Sequence, residues 1–229
     1  MKTIGLIGGM SWESSALYYR LINEEVKARL GGLHSAKCLM YSVDFDEVAS
    51  FQSNGDWEGA GELLGNAAQA LERAGADFIL IGANTMHKVI ASVEAKISIP
   101  VLHIADATAN QIQQANLKKV GLLGTMYTME QDFISSRLEL HGITVIVPEK
   151  EEREMVHRII YEELCRGAFK ESSKDYYIHV MKKLIEDGAE GIVLGCTEIG
   201  LLVHADAIDI PLFDTAIIHA VESVKMALE

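Results

Sequence analysis

The chain is poor in cysteine and proline, with three of each among 229 residues, and poor in positive charge, with 20 Lys and Arg against 33 Asp and Glu. Cys38, Cys165 and Cys196 are odd in number, far apart and without a CxxC spacing. That excludes a disulfide framework or a zinc knuckle and points to a reducing compartment. The eight histidines include no HxH or HExxH spacing, so no metal site is expected, and residues such as His103 and His219 read as satisfied core or surface side chains. No apolar run approaches the roughly 20 residues that span a bilayer. The opening MKTIGLIGGMSWESS lacks the apolar stretch of a signal peptide. A cytoplasmic protein with no membrane partner is the expectation. A formal net charge of -13 makes nucleic acid an unfavourable partner. It does not exclude a small acidic ligand, because backbone amides or a single Arg hold a carboxylate well.

What the sequence does contain is one architecture written twice. Ile4-Gly5-Leu6-Ile7-Gly8 recurs 116 residues later as Val120-Gly121-Leu122-Leu123-Gly124. Gly75 to Thr85 recurs 113 residues later as Gly188 to Glu198, and Ile99-Pro100-Val101-Leu102-His103 recurs 111 residues later as Ile210-Pro211-Leu212-Phe213-Asp214. Constant order and near-constant spacing identify an internal duplication.

Each block is a short apolar run bounded by Gly or Pro, the pattern of a parallel strand buried on both faces. Residues 12–30, 57–74, 127–141 and 174–187 carry apolar positions three and four apart and read as helices. The prediction is an α/β protein of two pseudo-symmetric, doubly wound parallel-sheet domains. The first comprises residues 1–105 with 214–229 and the second residues 106–213, the last helix packing back on the first half. Such sheets bind ligands beyond the carboxyl ends of their strands, which directs attention to the turns 8–14, 82–87, 124–129 and 195–200 and to a cleft between the two halves.

Cys196 follows the strand Ile192-Val193-Leu194-Gly195 and precedes an expected helix start. Helix-terminal amides there would lower its pKa and fit it as a nucleophile or a proton-transfer base; a small buried hydrophobe at a strand end is the competing account. Cys38 and Cys165 read as structural. In the duplicated block Ala83 takes the place of Cys196, followed by Asn84 and Thr85. Their side chains suit either a helix cap or donors to a carboxylate or oxyanion. The acidic run Glu149 to Glu154 reads as a solvated helix beginning.

The motifs Gly8-Gly9-Met10-Ser11-Trp12-Glu13-Ser14, Asn84-Thr85-Met86-His87, Leu123-Gly124-Thr125 and Gly195-Cys196-Thr197-Glu198, in that order over nearly the whole chain, resemble the cofactor-independent amino-acid racemases of the aspartate/glutamate type. These are relatives of hydantoin racemase, maleate isomerase and arylmalonate decarboxylase. The resemblance implies an isomerase that needs no pyridoxal phosphate or other cofactor. It implies a homodimer and a small amino acid or dicarboxylate as substrate, aspartate or glutamate foremost. Its mechanism uses one cysteine from each half, one removing the α-proton and the other returning it on the opposite face.

By the same resemblance Cys196 is the second-half acid/base residue, and Ala83 stands where the first-half one belongs. His87 and Glu198 would tune proton transfer, with Thr85 at the reacting centre. Asn84, Thr85, Thr125 and Thr197 would hold the substrate carboxylate, and Met10 and Ser11 would close one wall of the pocket or serve only turn packing. From residue chemistry alone, Gln52 fits either a contact to the distal carboxylate from a mobile loop or plain loop polarity, and Arg166 either a partner for a side-chain carboxylate or a solvated side chain. Three accounts fit an alanine at 83: a substitution that traps substrate, a weak or inactive racemase, or one-sided chemistry of the kind arylmalonate decarboxylases perform. A cofactor-free decarboxylase using Cys196 alone and a catalytically silent amino-acid-binding protein are therefore the alternative functions.

Overall fold

A computed structural model describes residues 1–204 and 208–229. The chain divides into two compact units, Met1–Ile104 with His219–Glu229, and Ala105–Ile218.

The first unit opens with β1 (Ile4–Gly8), α1 (Trp12–Leu30), β2 (Cys38–Ser42), α2 (Phe45–Asn54), α3 (Trp57–Arg73) and β3 (Phe78–Ile81). A 3-10 turn (Thr85–Val89) and α4 (Ile90–Glu94) follow. The sheet order is β2-β1-β3, all parallel, and a bridge from Ile79 to Val101 extends it by one more parallel segment. Every residue of β1 and β3 is buried, which is why both strands read as unbroken apolar runs. The edge strand β2 is half-buried to exposed. Helix α3 turns Leu64, Ala67, Ala68 and Leu71 to the sheet. Gly61 and Gly65 let the following segment close in, since a Cβ at either would lie 2.8 Å from the Ser92 side chain or 2.6 Å from that of Lys96. Both tryptophans belong to this unit. Trp12 begins α1 with 69% of its surface exposed, and Trp57 begins α3 with the Lys88 ammonium 3.8 Å from its ring centroid.

The second unit contains α5 (Ile104–Gln114), β4 (Lys119–Gly124), α6 (Met126–Glu130), α7 (Asp132–Leu140), β5 (Thr144–Ile146) and α8 (Lys150–Glu162). After a 3-10 turn (Leu164–Arg166) come α9 (Glu171–Glu186), β6 (Gly191–Gly195), α10 (Ile199–Leu202) and β7 (Leu212–Asp214); α11 (Thr215–Leu228) ends the chain. The sheet order β5-β4-β6-β7, again all parallel, repeats the order of the first unit strand for strand. The expected α/β class, with two parallel sheets flanked by helices, is therefore the architecture found. Helix α8 begins with a capping box between Glu149 and Glu152, so the acidic run is a helix start.

Two expectations need correction. The single helix placed at 127–141 is two, because Gln131 breaks it with extended backbone at φ -106, ψ 158. Gln52 is not in a loop. It lies in α2, which Asp44 caps at one end and the left-handed Gly55 closes at the other, and its side chain is buried.

Candidate active site

In the first unit the candidate residues come from the turns after β1 and β3. Gly9 leaves β1 at φ +94, and a Cβ there would collide with the Val43 carbonyl oxygen, so only glycine passes between the strands. Ser15 Oγ accepts from the Gly9 amide at 2.7 Å and donates to the Ser11 carbonyl at 2.8 Å. Ser11 in turn caps α1 by accepting from the Ser14 amide. This tight loop buries Met10 and Ser11.

Beyond β3 the turn buries Ala83, Asn84, Thr85 and His87 together, Ala83 keeping 8% of its surface exposed. Asn84 starts the 3-10 turn without a side-chain cap, so the capping account of this residue does not hold. Gln52 Nε2 donates to the Met86 sulfur at 3.1 Å, which ties α2 to the same turn.

His87 is fixed at both nitrogens. Nε2 accepts from the Ile104 amide at 3.2 Å, so Nδ1 carries the proton and donates to the Ala83 carbonyl at 2.9 Å. Its ring packs against His103 in a tilted arrangement, centroids 4.5 Å apart, and lies 6.0 Å from His219. Complete burial, then the neighbouring His103 and His219, hold His87 well below the usual histidine range. His219 accepts from the Tyr18 hydroxyl at Nδ1 and donates from Nε2 to the Leu102 carbonyl, both at 2.9 Å, and burial pushes it down to about 4. All these imidazole hydrogen bonds are those of neutral rings.

In the second unit β4 and β6 run so close at their ends that a Cβ on Gly124 would sit 2.9 Å from the Gly195 carbonyl oxygen. The turns after them are consequently neighbours. Thr125 caps α6 through the Thr128 amide at 3.3 Å. Cys196, 9% exposed, donates from Sγ to Glu198 Oε2 at 3.0 Å, and the Thr197 hydroxyl donates to the same oxygen at 2.8 Å.

The thiol runs against the sequence expectation. Burial first, and then the Glu198 charge, push Cys196 well above the ordinary thiol range. The helix that follows, α10, is one turn long and begins three residues later, too short to offset a carboxylate in contact with sulfur. Cys196 is thus held as a protonated thiol hydrogen-bonded to a base.

Arg166 ends the 3-10 turn after α8 as an exposed side chain, while its neighbour Cys165 packs against the core cluster that contains Cys196. Tyr161 of α8 and Tyr177 of α9 pack in the same core cluster as Cys196, burial pushing both phenols up, and sequence reasoning singled out neither tyrosine. Nor did it single out Tyr18, His103 and His219 around His87. The one available signal was that His103 occupies the duplicated position of Asp214. Among the described residues no group of three or more His, Cys, Asp or Glu is arranged to hold a metal ion, and no helix is long and apolar enough to cross a membrane.

Two copies of one parallel-sheet unit, each closing a buried turn behind its central strands, with a thiol-carboxylate pair in the second, define a duplicated α/β protein. The chain belongs to the Asp/Glu/Hydantoin racemase family, whose model matches residues 7–223. It is similar over all of both chains to a candidate Asp/Glu racemase from Yersinia pestis, with 57% identity and a TM-score of 0.93. An aspartate racemase homologue from Pyrococcus horikoshii OT3 matches over all of both chains at 40% identity and a TM-score of 0.85. The broad specificity amino-acid racemase RacX of Bacillus subtilis (strain 168) is 25% identical over 170 residues, 71% of this chain and 70% of that one.

Proposed function

We propose that the chain is a cofactor-independent isomerase acting at the α-carbon of a small amino acid, with aspartate and glutamate as the first candidates. The observation that carries this reading is the Cys196–Glu198 pair, Sγ to Oε2 at 3.0 Å. An α-proton is removed only by a strong base or with strong stabilisation of the carbanion. Passing the thiol proton to Glu198 generates the thiolate at the moment it is needed, and the thiolate then takes the α-proton. The substrate carboxylate would be held by Asn84, Thr85, Thr125 and Thr197, with Met10, Ser11 and Gln52 shaping the site and Arg166 available to a side-chain carboxylate.

Inversion requires a second proton-transfer group on the opposite face of the carbon. Ala83 supplies none, so the chain as it stands should exchange the α-proton faster than it inverts the centre. A second reading is favoured by the same thiol. A decarboxylase needs one proton donor to quench its carbanion, and a cysteine held protonated is suited to that.

Proton NMR in deuterium oxide over a panel of amino acids and short dicarboxylates separates the readings. Loss of the α-proton signal marks the racemase type, and a new product with carbon dioxide marks the decarboxylase. Binding without either would leave a silent receptor and would overturn the catalytic reading.

A further inference from the structure

The four-residue spacing of His157 and Tyr161 sets both on one side of α8, next to the residues Val156, Ile159 and Ile160 that the helix buries. There the His157 ring meets the turn after β4. The Met126 amide donates to its Nδ1 at 3.2 Å, so the neutral ring carries its proton on Nε2, and that N–H has no acceptor among the described residues. Tyr127 packs edge-on against the ring with centroids 5.9 Å apart, and Tyr161 lies tilted against it at 4.8 Å, which holds the ring in one orientation. The register of β4 on β6 pairs Gly124 with Gly195, so the turn that carries Thr125 and Met126 starts beside the one that carries Cys196 and Thr197. Tyr161 also packs against the core cluster that contains Cys196. A half-buried, oriented imidazole donor therefore stands at the turns that hold the candidate carboxylate-binding residues.

We propose that His157 is a ligand-binding and specificity-determining residue of this site, whose Nε2–H donates to the side-chain carboxylate of an acidic amino acid. The inference deepens the racemase reading and rests on it for placing the ligand at these turns. A dicarboxylic amino acid brings two carboxylates, and donors at Thr125 and Thr197 suit the one nearest the thiol. Arg166, the side chain that the sequence offers for the other, is exposed. Burial holds His157 below the usual histidine range against a smaller opposing effect of Glu130, whose carboxylate is engaged by Arg153 at 3.0 Å. The ring is therefore neutral near pH 7, and a carboxylate arriving at Nε2 favours its charged form. An uncharged side chain brings no such effect.

The test is the imidazole titration of His157, followed by NMR in the full chain and assigned by its loss in His157→Gln, without ligand and with saturating L-aspartate or L-glutamate. Each is compared with its isosteric amide, asparagine or glutamine. The acidic amino acid that binds should raise the His157 midpoint by about one pH unit, and its amide should leave the midpoint in place. In calorimetric titrations His157→Leu should weaken binding of that acidic amino acid by about tenfold or more, while His157→Gln, whose side-chain amide still donates, should keep most of it. A bound acidic amino acid that leaves the His157 midpoint unmoved overturns the proposal alone, as does an equal shift by its amide or full affinity in folded His157→Leu. A moved midpoint without α-proton exchange sinks the racemase reading and leaves His157 as a binding residue. If neither acidic amino acid binds the parent chain, both fall.

Discussion

Cys196 and Ala83 occupy equivalent places in the two copies, and only one can move a proton. Restoring a thiol with Ala83→Cys should therefore raise inversion of a substrate amino acid by at least about 100-fold, the ordinary contribution of a positioned acid or base. Circular dichroism or chiral chromatography of the product checks it, and inversion no faster than in the parent chain would remove position 83 from the mechanism. Cys196→Ala should abolish α-proton exchange altogether. The candidate thiol stood out in the sequence because the duplication sets Cys196 apart from Cys38, which sits on the edge strand β2 with its thiol pushed up to about 11 by burial. Its protonation state was not legible. Helix-start chemistry argued for a thiolate, and only coordinates show that the Glu198 carboxylate folds back onto the sulfur.

Among the elements, the central strands were readable because burial on both faces leaves no polar position to interrupt the run. Helix α1 was readable too, since Ser11 caps it and Gly31 ends it at the residues the periodicity implies. Helix α2 escaped notice because it is short and buries a polar side chain, Gln52, beside Val48. The break between α6 and α7 escaped because the apolar spacing runs across Gln131 unbroken; the backbone there, not the pattern, ends the helix. The β1 turn offers a direct check at this scale. Gly9→Ala adds a methyl group that meets the Val43 backbone at a positive φ, and urea denaturation should show a loss of about 2 kcal/mol or more. A loss below about 0.5 kcal/mol would mean that β1 and the segment at Val43 can separate at small cost.

For the molecule as a whole, the neutral histidines of the first unit set a limit on acid tolerance. His219 is held at about 4 and His87 well below its usual value, whereas both protonate near 6.5 once unfolded. Their neutral forms are favoured by the fold, so stability is complete above about pH 6.5 and falls as the medium becomes more acidic. The slope should reach about 1.4 kcal/mol per pH unit for each histidine. Urea midpoints measured from pH 7 to 4.5 should show this decline. His219→Gln, whose amide reproduces one donor and one acceptor, should flatten it, and an equal slope in that variant would assign the acid lability to other groups.

Both indoles lie in the unit built on β1 to β3, one open to solvent at the start of α1 and one beneath Lys88. Tryptophan emission therefore reports on that unit alone, while the second is optically silent at the same wavelength. A melt followed by indole fluorescence and by far-ultraviolet ellipticity will give one curve if the halves unfold together and two if they unfold in turn, with no label introduced.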